Sequence, residues 1–398
     1  MRASLILLLG VLVINLLLDW YIIRQLKTRL KFGRRFWLDF QWISAGIIIA
    51  LLVAAIAVPA RSGSNTVLLV KMWLLFSYLT FLIPKTVGVL FDLIASIPTL
   101  FNHRRLRFFT VAGMALGEVI FIGMWWGAIL NRYRTDVREV EIEITDLPES
   151  FSGYRIVQFS DLHTGTFGTD TAFVATLVDE INSLHPDAIF FTGDIVNRVS
   201  SEAQPFVAPL SRLEAPDGVY ALLGNHDYGD YMSWDSPEEK NRNMEELYDI
   251  FRRTGMDLLR NETRWLRKGA DSIAIIGVEN IGDPPFPIYG SLSKAYPDPA
   301  DGATKILLTH NPAHWVDSIS GHDSMHIPLT LSGHTHAMQI ELGGISPAAL
   351  RYSTWGGIYT DNHDRHQLYV NIGAGTVGMP MRLGATPEIT VITLRRRR

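Results

Sequence analysis

The chain has 398 residues, 47% of them hydrophobic, with 36 Lys and Arg against 40 Asp and Glu, and no cysteine. That length suggests two or three domains, and the missing cysteine excludes disulfides, thiolate metal sites and a cysteine nucleophile. The net charge of −4 conceals a division: residues 1–131 carry +9 and residues 132–398 carry −13. An acidic body offers no groove to neutralise a phosphate backbone, which argues against nucleic acid as the partner.

The front third reads as a multi-span helical membrane domain, residues 1–131. A bilayer core needs about 20 mostly apolar residues in a helix, and four stretches qualify: 4–23, 37–59, 66–84 and 109–131. The first lacks a small-residue cleavage pattern before Asp19-Trp20-Tyr21, so it reads as an uncleaved span. Apolar character runs on from Val87 to Leu100, either as one long kinked helix or as a separate segment that would make five spans. Loop charge sets the orientation. The first loop holds Arg24, Lys27, Arg29, Lys31, Arg34 and Arg35, the second only Arg61, and the third Arg104, Arg105 and Arg107. Four spans then place both termini outside the cytoplasm. Lys71 and Lys85 lie near span ends and can snorkel to the head groups. Glu118 sits mid-span and reads as a residue that helps helices pack, with a functional carboxylate as the alternative. Gly113 and Gly117 permit close helix approach.

Residues 132–150 form a linker and first strand, and residues 151–398 alternate strand and helix patterns. Val137–Ile144 alternates in the strand manner, and Tyr154–Phe159 reads as a buried strand. Thr171–Leu184 has helical apolar spacing. Strands follow at Asp187–Thr192 and Val219–Leu223, a helix at Glu238–Arg253, and strands at Ser272–Val278, Lys305–Leu308 and Ile327–Leu331. The runs LYVNIG, from Leu368, and EITVITL, from Glu388, close the sheet.

Five of these strands end in small residues followed by metal-type ligands. The groups are Asp161-Leu162-His163, Gly193-Asp194, Gly224-Asn225-His226-Asp227, His310, and Gly333-His334-Thr335-His336. In open α/β sheets, sites form at the carboxyl ends of strands. Every donor is oxygen or imidazole, a set that suits two hard or borderline cations such as Mn, Fe or Zn.

This order of blocks resembles the calcineurin-like metallophosphoesterase superfamily, whose pattern is D-x-H, G-D, G-N-H-[DE], H and G-H-x-H. The membrane-anchored bacterial branch is the most similar. It follows the last block with Gly-Gly-Gln, where this chain has Ala337-Met338-Gln339, and ends as here with Gly373-Ala374-Gly375, Arg382 and Pro387-Glu388-Ile389. The resemblance implies an α/β/β/α sandwich and two divalent metal ions. Asp161, His163 and His336 would hold the first, Asn225, His310 and His334 the second, and Asp194 would bridge them. It implies direct hydrolysis of a phosphomonoester, phosphodiester or pyrophosphate by a metal-bridging hydroxide, with His226 as general acid; Asp227, next to it in sequence, is expected to orient the imidazole or raise its pKa. The substrate is expected to be a phosphorylated small molecule or lipid, reached from the membrane surface. The alternative is a transporter or sensor that uses this fold as a binding module.

Outside the blocks, Asn197 and Arg198 are candidates to touch substrate. Arg382 is expected either to bind phosphate or to pair with Glu388. Tyr231, Trp234 and Trp355 are candidates for stacking on substrate or for resting on lipid, with local packing as the alternative. His314, His322, His326, His363 and His366 match no block and read as surface or satisfied polar residues. The run Arg395–Arg398 reads as a solvated basic end.

Overall fold

The apolar runs of the front third become four long helices: α1 (Arg2–Arg29), α2 (Arg34–Ala57), α3 (Asn65–Ser96) and α4 (Arg107–Ile129). The computed structural model describes residues 2–59, 64–282, 286–297, 302–322 and 325–397. Arg61 and Arg398, two charges weighed above, lie outside the described residues. Two units separate by contact, one of residues 1–60 and 67–128, the other of residues 61–66 and 129–398.

Three helical stretches among the described residues are long and apolar enough to cross a membrane: Arg34–Ala57, Asn65–Phe101 and Arg107–Tyr133. Of the two alternatives for the third region, the long helix is the one found, and the span does not end at Pro84. α3 runs through it to Ser96, with Pro84 inside the helix. A proline deletes one backbone donor, and here α4 packs closely at that turn. A Cβ on Gly117 would stand 3.1 Å from the Pro84 carbonyl oxygen, so the small residue is what allows the approach. Lys85 does not snorkel. Its Nζ lies 2.8 Å from Asp19 Oδ1 and donates to Asn15 Oδ1 at 3.0 Å, while Gln41 Nε2 donates to Asp19 Oδ1 at 2.8 Å. An ammonium in an apolar helix bundle is stabilised only when paired. Lys71 donates to the Val58 carbonyl at 2.9 Å, capping the end of α2. Glu118 lies on the exposed face of α4 and does not pack between helices.

The second unit is built on two six-stranded sheets. The first has the order β1 (Asp136–Ile144), β12 (Glu388–Arg396), β2 (Arg155–Phe159), β3 (Ala188–Phe191), β4 (Val219–Ala221), β5 (Asp257–Leu258). The second runs β10 (Gly357–Thr360), β11 (Gln367–Val370), β9 (Leu329–Ser332), β8 (Lys305–Leu308), β7 (Asp271–Gly277), β6 (Glu262–Lys268). Three apolar layers hold them. Ile156, Phe190 and Ile392 of the first sheet meet Ile273, Leu308, Leu331 and Tyr369 of the second between the sheets. The outer face of the first sheet is covered by α5 (Ala172–Ser183), α6 (Val207–Leu210) and α7 (Pro237–Thr254) through Val174, Leu177, Leu210, Leu247 and Phe251. The outer face of the second is covered by α8 (Leu292–Ala295) and α9 (Ala313–Ser318) through Ala295 and Trp315. The result is the α/β/β/α sandwich. Residues buried on both faces of a strand give unbroken apolar runs, which is why AIFF and KILL carry no alternation.

Local signals set the helix ends. Ser236 accepts from the Glu239 amide at 3.3 Å, Pro237 opens α7, and Gly255 closes it at φ 76°. The two carboxyl-terminal runs do not close one sheet. β11 joins the second sheet beside β9, and β12 joins the first between β1 and β2.

Candidate metal centre

Strands β2, β3 and β4 are mutually parallel, as are β8 and β9, so the segments that follow them emerge together. Each then turns sharply. Asp161, His163, Asp194, His334 and His336 all have left-handed backbone, with φ between 45° and 76°. Non-glycine residues rarely adopt this region, and clusters of them mark sites held by surrounding structure. Two glycines make the crowding possible. A Cβ on Gly224 would overlap the Asp194 carboxylate, and one on Gly333 would overlap Ser160 and the Asp161 carboxylate.

The seven residues expected as ligands converge. His163 Nε2 lies 3.0 Å from His336 Nε2 and 3.5 Å from Asp194 Oδ2, and His336 Nε2 lies 3.2 Å from Asp161 Oδ1. His310 Nε2 lies 3.2 Å from Asp194 Oδ2 and 3.1 Å from Asn225 Oδ1. His334 Nδ1 lies 2.8 Å from Asn225 Oδ1 and 3.3 Å from His310 Nε2. Asp161, His163, Asp194, His310 and His336 are buried. The two carboxylates also anchor backbone: Asp161 accepts from the His334 amide at 3.0 Å and Asp194 from the His226 amide at 2.8 Å.

The charges fit a cation site. Burial pushes Asp161 and Asp194 up, yet His336 beside the first and His310 beside the second outweigh it and hold both carboxyls below their ordinary range. Burial pulls the His310 imidazolium down, but Asp194 prevails and raises it to about 9. His163 is pulled well down by burial, and His334 is brought to about 3 by burial and by His310. Imidazoles held neutral expose lone pairs. His163 and His334 are of this kind, whereas His310 is charged beside Asp194: its Nδ1 donates to the Thr192 carbonyl at 2.7 Å, so Nε2 is the nitrogen that faces the cluster and would give up its proton to a cation. Donor atoms about 2.1 Å from one divalent cation lie about 3 Å from each other. The seven contacts above, at 2.8–3.5 Å, have that spacing.

Other site residues behave differently from expectation. Asp227 does not touch the His226 ring. Its two oxygens accept from the amides of Asp194, Ile195, Val196 and Gly224 at 2.8–3.1 Å. Burial and nearby Asp194 push its carboxyl up to about 8. It therefore braces the turns that carry Asp194 and His226. The ring is oriented by the Asn197 carbonyl, 2.7 Å from His226 Nδ1. No sequence pattern marks a main-chain acceptor. The Asn197–Arg198 turn is in turn held by Glu202, whose Oε2 accepts from both amides, at 2.6 and 3.2 Å. Tyr231 stacks on His226 at 4.2 Å and 9°, and its hydroxyl accepts from Asn225 Nδ2 at 2.7 Å.

Arg382 neither reaches for solvent nor pairs with Glu388. It is fully buried and donates to the carbonyls of Gly375, Ala385 and Ile372, with Nη2 3.2 Å from His336 Nδ1. Glu388 pairs with Arg138 at 3.1 Å. Trp234 donates to the Gly229 carbonyl, and the Trp355 carbonyl accepts from Thr335. His314 is a buried, satisfied polar residue in the first turn of α9, where burial brings it to about 4 and its Nδ1 lies 3.0 Å from Thr309 Oγ1. His366 is buried with Nδ1 2.7 Å from the Ile327 carbonyl.

The left-handed backbone continues beyond His336 through Ala337, Met338 and Gln339, at φ 50°, 47° and 60°. This is where the bacterial branch carries two glycines. A side chain here costs about 1–2 kcal/mol per residue, most for a β-branched one. Met338→Val should therefore lower the melting temperature of the purified chain, while Met338→Gly should not. Equal losses in both would remove the strain argument.

Two carboxylates, one amide and four imidazoles gathered at strand ends form a candidate metal centre with the donor chemistry of a metal-dependent hydrolase. Residues 154–338 match the calcineurin-like phosphoesterase family, and residues 1–132 match the probable calcineurin-like phosphoesterase transmembrane domain. The metallophosphoesterase YkuE of Bacillus subtilis is 31% identical over 282 residues, which cover 69% of this chain and 90% of that protein. A zebrafish transmembrane protein with metallophosphoesterase domain is 29% identical, over 72% of this chain and 62% of its own length. The UDP-2,3-diacylglucosamine pyrophosphatase LpxG of Chlamydia trachomatis is 30% identical over 62% of this chain and 86% of that one. The chain belongs to the calcineurin-like phosphoesterases: it is a membrane-associated, metal-dependent phosphoric ester hydrolase.

Proposed function

We propose that the chain is a multi-pass membrane phosphoesterase with a dinuclear centre. Its membrane domain would be residues 1–131, followed by a linker at 132–150 and a catalytic domain at 151–398. The carrying observation is the meeting of seven N and O donors, with neighbouring atoms 2.8–3.5 Å apart, at the ends of five strands from both sheets. Asp161, His163 and His336 would hold one divalent cation, Asn225, His310 and His334 would hold the other, and Asp194 would serve both. Mn, Fe and Zn all accept this donor set. When bound, such cations lower the pKa of water to about 7 and neutralise charge on phosphoryl oxygens. His226 presents Nε2 to the leaving-group oxygen, because its other nitrogen is committed to the Asn197 carbonyl. Burial lowers its proton affinity, and an anionic phosphate beside it restores the proton. Asp227 and Glu202 are positioning residues that keep Asp194, His226 and Asn197 in place.

The substrate is a phosphomonoester, phosphodiester or pyrophosphate, and a lipid-linked one suits a membrane-held enzyme. LpxG, by its name, cleaves a pyrophosphate on a lipid-linked sugar nucleotide. The excess of Lys and Arg in the first and third loops favours an extracytoplasmic catalytic domain. A cytoplasmic nucleotide-lipid is then out of reach, which favours another lipid phosphate.

Two measurements test this reading. Metal analysis of the purified chain should find close to two divalent cations, and a chelator should abolish hydrolysis of generic phosphomonoesters, phosphodiesters and lipid phosphates, with recovery on adding Mn or Zn. Full activity after verified metal removal would sink the assignment. For orientation, an alkaline phosphatase reporter fused after Arg398 should be active, since that enzyme matures only outside the cytoplasm. A silent reporter, with a fluorescent protein glowing at the same position, would place the domain inside.

A further inference from the structure

The segment that follows the last ligand, His336, is unusual for a water-facing loop. Leu342 is 61% exposed, Ile345 76% and Leu350 93%, and Met338 is exposed beside them. Leu342 and Ile345 pair across a tight turn through Gly343 and Gly344, both at positive φ. The turn is built rather than loose. Ser346 Oγ donates to the Ala337 carbonyl at 2.6 Å and caps the short helical turn ending at Leu350. Large apolar side chains clustered on one projecting loop mark a surface that something covers.

The same unit shows where that loop lies relative to the chain's exit from its last apolar helix. α4 ends at Ile129, and Leu130 is still exposed and apolar. Asn131 is the first buried polar residue after it. Its Nδ2 donates to the Arg382 carbonyl at 2.9 Å, and its Oδ1 accepts from Thr386 at 3.3 Å. The next residue, Leu383, bridges to Ile340: the Leu383 amide donates to the Gln339 carbonyl at 2.8 Å, and the Glu341 amide to the Leu383 carbonyl at 2.9 Å. One strand spacing, about 4.8 Å, thus separates the segment pinned to the membrane exit from the base of the apolar turn. Tyr133 is exposed two residues past Asn131, a residue type enriched at the level of lipid head groups. Arg134 and Arg351, on the two segments concerned, are also exposed, which suits acidic head groups.

We propose that residues 338–350, with Leu342 and Ile345 at the tip, form a membrane-docking loop that inserts into the bilayer interface beside the exit of the last apolar helix. Because the loop starts at His336, docking holds the metal centre against the surface and selects amphiphilic phosphates whose tails stay in the bilayer. This deepens the phosphoesterase reading and, for the substrate class, rests on it; the docking itself does not. The occupant is the bilayer, and a second copy of the chain or another protein is an outcome of the test below.

The native chain has no cysteine, so a single Cys gives a single label. Ile345→Cys and Arg267→Cys are made in the full chain, labelled with an environment-sensitive fluorophore and placed in bilayer discs of phosphatidylcholine and phosphatidylglycerol. Arg267 is an exposed residue of β6, at the opposite edge of the second sheet from β10. Position 345 should emit at shorter wavelength than 267 and be quenched by lipids carrying a nitroxide on the acyl chain. A position 345 as wet and unquenched as 267 overturns the proposal. A blue shift without lipid quenching also overturns it, and assigns the surface to protein. In parallel, Leu342→Ser, Ile345→Ser and Leu350→Ser together should leave hydrolysis of a soluble aryl phosphoester unchanged and lower that of a bilayer-embedded lipid phosphate at least about tenfold. Equal rates on the lipid phosphate would overturn it. If the unaltered metal-loaded chain cleaves neither ester, the phosphoesterase reading fails, while the quenching result still decides the loop.

Discussion

Asp194→Asn is expected to cut turnover by at least about 100-fold, the upper end of what second-shell changes at metal sites cost, and to lower the bound metal below two per chain. The substitution keeps size and one acceptor oxygen, so the amide of His226 retains its 2.8 Å partner. What it removes is the charge shared by His163, at 3.5 Å, and His310, at 3.2 Å. Asp194 is also the carboxylate that lifts His310 to about 9. Without it, the proposed dinuclear centre would keep Asp161 as its one charged ligand, and each cation would lose an anionic donor. Elemental analysis together with turnover checks this. A variant holding two metals at full activity would show that Asp194 is a backbone brace and nothing more. Folding should survive, because Asp227, which organises the same turn through four amides, is untouched.

The convergence that prediction relies on was legible because the blocks follow apolar runs whose strand character is strong. AIFF, KILL and LTLS become β3, β8 and β9, and Asp194, His310 and His334 follow them. Sheet membership was not legible. A run buried on both faces carries no periodic signal of its neighbour, so β11 and β12 gave no hint that they belong to different sheets. β6 carries no strand signal for a different reason. It lies at a sheet edge and is mostly polar, ETRWLRK, so only Leu266 is buried. α3 outlasted its proline because neighbouring apolar helices supply the packing that a soluble helix would lack.

Within the site, side chains at the ends of motif strands could be read, while the groups that aim them could not. The acceptor for His226 is a main-chain carbonyl at Asn197, and its stacking partner Tyr231 sits five residues along in a loop. Adjacency in sequence suggested Asp227 instead. On a turn, neighbouring side chains diverge, and Asp227 points back into the protein toward amides. Arg382 carries the opposite lesson. A cation near a phosphate site suggests a substrate contact, yet this one is consumed by three carbonyls and His336.

His226→Ala is expected to lower kcat by about 10²–10⁴-fold, the range for losing a positioned general acid, with metal content unchanged. The ring is not among the seven converging donors, and its nearest ring contacts are His163, edge-on at 4.9 Å, and Tyr231, stacked at 4.2 Å. Proton donation matters in proportion to the basicity of the departing oxygen. The loss should therefore be largest for an alkyl or lipid phosphoester and much smaller for a nitrophenyl ester, whose leaving group departs without a proton. A purely structural role would lower both substrates equally, and a ligand role would lower the metal content. Tyr231→Phe supplies the control. It keeps the stack on His226 but deletes the hydroxyl that accepts from Asn225 at 2.7 Å, so its effect should be modest and independent of the leaving group. A His226→Ala variant whose defect is the same for aryl and alkyl esters would move the general acid elsewhere in the site.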